Sequence, residues 1–137
     1  MQHRLAWPMA GKAGMLAPKE LVLHKQVAQI FREHCLPDWQ HTHFPGGEQL
    51  TARVAAKLKE MGKMPGWPDF ILIDPTGRVR FLELKRKGMR TKPGSPQALF
   101  REWCIERGVP YAVAWSLDDV CMILDEWRCL RIKFAPD

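Results

Sequence analysis

The sequence predicts an α/β fold, a mixed β-sheet flanked by helices in the order α-β-α-β-β-α-β-α. Three observations carry that prediction. Four stretches space their apolar residues as helices do and are bounded by proline, glycine or serine. Two adjacent runs, Asp69–Asp74 and Arg78–Lys85, flank Pro75-Thr76-Gly77 and read as a β-hairpin. The chain has 137 residues, 46% hydrophobic and 26% charged, which is enough to bury one core.

Each element has its own signal. Residues 1–17, with two glycines and Pro8, read as a flexible N-terminal arm ahead of one domain spanning 18–137. Between Pro18 and about Cys35, Leu21, Leu23, Val27, Ala28, Ile30 and Phe31 are mostly in helical register, and Pro18 suits the first turn. Trp39 to Phe44 reads as a short strand, and Pro45-Gly46-Gly47 breaks it. From Glu48 to Met61, Leu50, Val54, Ala55 and Leu58 share one helical face, and Gly62 stops the helix. Met64-Pro65-Gly66-Trp67-Pro68 cannot be regular structure. After the hairpin comes a basic loop, 86–95. Ser95-Pro96 then opens a helix that runs to about Arg107, with Gly108 at its end. Tyr111 to Trp115 is a strand. Ser116 with Asp119 resembles a capping box and starts a helix over Leu117–Trp127. A last short strand is expected near Cys129–Phe134. Trp103, Trp115 and Trp127 lie within regular elements and are expected in the core, while Trp67 is expected to pack rather than stack on a base.

Composition narrows the function classes. No apolar run approaches the roughly 18 residues of a membrane-spanning helix, so no membrane partner is expected. Cys35, Cys104, Cys121 and Cys129 form no C-x-x-C pair and read as reduced, buried thiols of an intracellular, cytoplasmic protein. The formal charge is +6, which favours a polyanion such as nucleic acid. The excess is localised: residues 1–79 carry +3, residues 80–101 carry +6, and residues 102–137 carry −3. The one acid inside the basic stretch is Glu83, followed by Lys85, Arg86 and Lys87.

Hairpin register explains that acid. With a three-residue loop, Asp74 faces Arg78 and Asp69 lies directly opposite Glu83. Opposed residues on antiparallel strands have Cβ atoms about 4.5–5.5 Å apart. Two carboxylates so close require a cation or a proton between them. Lys85, two residues beyond Glu83, projects from the same face. A two-residue loop would instead send Asp69 and Glu83 to opposite faces. Hard oxygen donors of this kind suit Mg²⁺ or Mn²⁺, which can hold a phosphate oxygen and activate water. Lys85, Arg86, Lys87, Arg90 and Lys92, with Arg101 one turn after Gln97, would hold a phosphate backbone. His41 and His43, near His34, read as a polar strand face that could touch DNA, rather than a zinc site.

These residues carry a family resemblance. Pro68-Asp69, followed by a strand ending Glu83-Leu84-Lys85, resembles the PD-(D/E)XK nuclease superfamily. The fuller pattern resembles its VRR-NUC (virus-type replication–repair nuclease) branch. It comprises Met64-Pro65-Gly66-Trp67-Pro68-Asp69, Gln97 on the next helix, Glu20 on an early helix, and Gly46-Gly47 before a helix ending at Gly62. The resemblance covers about residues 18–131. It implies a restriction-endonuclease-like core and a metal-dependent DNA endonuclease of phage or bacterial replication and repair. The implied substrates are branched, flapped or junction DNA, Holliday junctions included. Asp69 and Glu83 would be metal ligands for Mg²⁺ or Mn²⁺, with the Leu84 carbonyl a further one and Glu20 reaching the metal directly or through water. Lys85 would orient the attacking water or stabilise the transition state, and Gln97 would sit beside the site. Free-standing members resemble junction resolvases in forming homodimers. The rival readings are a non-catalytic DNA-binding module and an interaction subunit of a repair complex.

Overall fold

The computed structural model describes residues 19–44 and 51–132. The expected arm at 1–17, the Gly46-Gly47 break, Leu50 and Phe134 lie outside them. The element order is α1 (Lys19–His34), β1 (Gln40–His43), α2 (Ala52–Glu60), β2 (Phe70–Ile73), β3 (Val79–Leu84), α3 (Pro96–Glu106), β4 (Tyr111–Ala114) and α4 (Leu117–Glu126). The strands form one mixed sheet in the order β1-β2-β3-β4. β1 pairs β2 and β2 pairs β3 antiparallel, while β3 pairs β4 in parallel. A parallel pair needs a crossover, and α3 supplies it.

The sheet has two unlike faces. On one, α1 contributes Val27, Ile30 and Phe31, and α4 contributes Val120, Cys121 and Leu124. Both sets follow helical spacing and pack on Phe70, Leu72, Leu82, Leu84 and Ala114. Withdrawing a large side chain from water is worth about 1.5–3 kcal/mol, so this layer is the main source of stability. The opposite face carries Phe81 and Glu83 of β3 and Tyr111 of β4. α3 covers it, with the Phe100 ring 5.2 Å from Phe81 and 6.2 Å from Tyr111.

Several local expectations need correction. Trp103 is 50% exposed, because α3 turns its buried stripe, Ala98 and Cys104, to the sheet and leaves Leu99 and Trp103 on its solvent side. Arg107 covers the Trp103 ring at 4.3 Å. Trp115 is also exposed, since it stands just past the last residue of β4. Trp127 does pack against the core. None of α2 is buried: periodicity marks an apolar face but not whether anything covers it. Thr51 caps α2, its Oγ1 accepting from Val54 N at 3.2 Å. Residues 129–132 form no strand of the sheet. Arg128 turns the chain with φ 59°, and Leu130 then makes an isolated bridge with Cys35. All four cysteines are buried and free.

Asp74 closes the hairpin. Its carboxylate accepts from Thr76 N, Thr76 Oγ1, Arg78 N and Arg80 Nε, at 2.6–3.0 Å. The Thr76 hydroxyl leads the groups that hold this carboxyl well below the usual range. Since the folded value is depressed, the stabilisation is present above the unfolded value, near 3.9, and is lost as pH falls below it. Asp74→Asn is therefore expected to lower the denaturant midpoint at pH 7 and to narrow the gap from wild type as pH drops from about 4 to 2. A gap that stays constant over that range would contradict the assignment.

Candidate active site

The site begins with the hairpin register. Phe70 pairs Leu82 and Ile73 pairs Val79, with Asp74 N donating to Arg78 O at 2.9 Å across a three-residue turn. The same register, carried one residue further, sets Asp69 against Glu83. Both are buried, and they are the only buried acids among the described residues apart from Asp74. One Asp69 oxygen, Oδ2, accepts from Leu84 N at 2.7 Å. Leu84 thus gives its backbone N–H to Asp69 while its side chain packs in the core.

Burial is the first reason that Glu83 is pushed up to about 8, and the charge of Asp69 is the second. Lys85 opposes both, its Nζ 3.7 Å from Glu83 Oε2. A protonated Glu83 can also hydrogen-bond the Asp69 carboxylate. The pair therefore holds a proton that a cation could displace.

Lys85 is held from the other side by Gln97. Its Nζ donates to Gln97 Oε1 at 2.8 Å. Gln97 is positioned because Ser95 caps α3, Oγ accepting from Ala98 N at 3.2 Å, with Pro96 at the first helical position. Gly66 locks the preceding loop to this helix start. It has φ +92°, and a Cβ there would lie 2.5 Å from Pro96 O, so no other residue fits without moving backbone. Trp67 follows, packed on Phe100 at 4.7 Å and on Phe81 at 5.8 Å, as expected.

Two residues join the site that the sequence alone did not single out for it. His24 of α1 sets Nε2 3.5 Å from Asp69 Oδ1. Tyr111 lies near Glu83 and Asp69, and burial leads the causes that raise its phenol. His24 had a findable signal: it is one helical turn after Glu20, on the same face of α1. Glu20 itself lies in the first turn of α1, and its side chain is outside the described residues. His43 meets Asp69 through the backbone, Nδ1 to O at 3.0 Å, and its ring stands edge-on to His24 at 5.4 Å.

The bases of residues 80–101 divide by surroundings. Arg86, Lys87, Arg90 and Lys92 are exposed on the loop after β3. That loop is tied down, with Trp115 Nε1 donating to Met89 O at 2.9 Å and Ser95 N to Lys92 O at 3.1 Å. Arg80 is committed elsewhere, paired with Asp74 at 3.0 Å between the rings of Trp39 and Trp127. Arg101 is half-buried, and its Nε is enclosed with no hydrogen-bond partner among the described residues.

Among the described residues no group of three or more His, Cys, Asp or Glu could hold a metal ion. The hard donors brought together are the two carboxylates of Asp69 and Glu83. Their chemistry fits a divalent cation, because two mutually repelling carboxylates are what such an ion neutralises. No helix of the described residues is long and apolar enough to cross a membrane. Comparison of the chain with protein-family models, curated proteins and solved structures finds no match in any of the three.

Proposed function

We propose that this chain is a Mg²⁺- or Mn²⁺-dependent DNA endonuclease with a restriction-endonuclease-like core, of the VRR-NUC kind. The observation that carries the reading is the convergence of Asp69, Glu83, Lys85 and Gln97 at the buried end of the β2–β3 hairpin. A structural ion pair would not need a second carboxylate. Here the second one raises the cost of the first, which is an arrangement found where charge is put to chemical use.

Asp69 and Glu83 would hold the cation, with the Leu84 carbonyl and Glu20 as further donors. When bound, the cation supplies a Lewis acid for the phosphoryl oxygens and lowers the pKa of a water. Hydrolysis would add a water's oxygen to phosphorus and break one P–O bond, the proton given up by the water being balanced by one taken up at the leaving oxygen. Lys85, aimed by Gln97, offers an ammonium to the negative charge that builds on the phosphoryl group. Arg86, Lys87, Arg90 and Lys92 supply a rim for the phosphate backbone. Branched DNA and a homodimer follow from the same resemblance.

The test is incubation with duplex, flap and four-way-junction DNA, with Mg²⁺, with Mn²⁺ and with chelator. Wild type is expected to cut in either metal and not in chelator, and Asp69→Asn is expected to cut in none. DNA binding without cleavage in any metal would replace this reading with the binding-module one.

A further inference from the structure

We propose that α2 is a second nucleic-acid contact, joined to the cleavage site by the short segment 61–68 and gripping phosphates through Arg53 and Lys57. The inference rests on the nuclease reading and names a surface that the motif residues do not include. Helix α2 contributes nothing to the core, since none of its residues is buried. Its sequence is therefore not explained by packing. Residues 52–63 carry four bases, Arg53, Lys57, Lys59 and Lys63, against the single acid Glu60. Arg53 and Lys57 are one turn apart on one face, a like-charged pair that an isolated helix disfavours. Neither side chain makes a hydrogen bond or ion pair among the described residues. Both are exposed.

Position gives this charge a purpose. The segment after α2 runs directly to Asp69, and Gly66 within it is pressed against Pro96 at the start of α3. The basic loop 86–95 ends at that same helix start, where Gln97 holds Lys85. The loop that follows α2 and the basic loop 86–95 thus meet at one end of α3, next to the carboxylates. The exposed surface of α4, by contrast, carries Asp118 and Glu126 and has no basic residue in its last turn. Charge complementarity selects a polyanion for α2. The exposed side chains of Met61 (75%) and Met64 (62%) at its far end would meet sugars or unstacked bases rather than phosphates.

Salt dependence of binding tests the proposal. Labelled duplex and four-way-junction DNA are titrated in chelator, so that nothing is cut, over a series of salt concentrations. Each phosphate contact contributes about 0.9 to the slope of log affinity against log salt on duplex DNA. Arg53→Ala/Lys57→Ala is expected to reduce that slope by about 1.8 and to weaken binding, with circular dichroism unchanged because alanine favours helix. Arg53→Gln/Lys57→Gln serves as a second variant and is expected to do the same. Lys25→Ala/Arg32→Ala, on exposed positions of α1, is the control and is expected to leave the slope near wild type. If the α2 variants bind as wild type does, the inference fails while the nuclease reading stands. An equal loss in the control would mean diffuse attraction and would also overturn it. If wild-type protein binds no DNA, both fall together.

Discussion

Lys85→Ala is expected to slow cleavage by about 10²–10³-fold, the loss typical of removing one preorganised group from a developing charge. The magnitude follows from how Lys85 is held. Its side chain is 14% exposed, with the ammonium 2.8 Å from Gln97 Oε1 and 3.7 Å from Glu83 Oε2, so little reorganisation is needed when charge appears. Gln97→Ala is expected to cost less, because Lys85 keeps its charge and loses only its aim. The two changes touch one interaction, so the double variant is expected to be little worse than Lys85→Ala alone. Rates measured at saturating metal with the four-way junction check this. Additive losses would show that Gln97 acts on something other than Lys85, and wild-type rates for Lys85→Ala would remove Lys85 from the chemistry.

Glu83→Gln is expected to stabilise the metal-free protein while abolishing cleavage. The Glu83 carboxyl, ordinarily near 4.5, is pushed up to about 8, first by burial and then by Asp69. Between those values the folded protein keeps a proton that the unfolded chain has released. Stability therefore falls as pH rises from about 4.5 to 8. Glutamine cannot charge, so the variant escapes that fall. Its advantage is expected to be greatest above pH 8, read as a higher Tm than wild type, and near pH 4.5 it is expected to vanish. Denaturant unfolding across pH in chelator measures it. A wild-type stability that stays level from pH 5 to 8.5 would contradict the burial argument. On the proposed reading, adding Mn²⁺ to wild type should flatten the pH slope, because an ion between the carboxylates replaces the proton.

Much of the fold was legible because its signals are local. A three-residue turn and strict alternation determine strand register, and register alone was enough to oppose Asp69 and Glu83. Ser95 and Ser116 announced two helices because a cap is satisfied within three residues, and both do cap. The four cysteines were legible as buried thiols because nothing in their spacing suggested another use. The misreadings have a common cause. Trp103 and Trp115 were judged from apolar character, which says what a side chain prefers and not what surface is left to cover it. His24 was missed because its partner, Asp69, is 45 residues away and reaches it only when α1 closes over the end of the sheet.

The sequence by itself determined the order of the elements, the hairpin register and the identity of the two carboxylates and the lysine between strand and loop. These depend on period-two and period-3.6 patterns and on turn chemistry, all read within a dozen residues. Only the tertiary structure decided which bases stand exposed to solvent. Arg80 and Arg101 look like Arg86 and Arg90 in the sequence. Yet one is sealed between two tryptophans against Asp74, and the other, on α3 itself, has its Nε enclosed. Burial is set by whatever helix lands on a side chain, and that landing is a property of the whole chain.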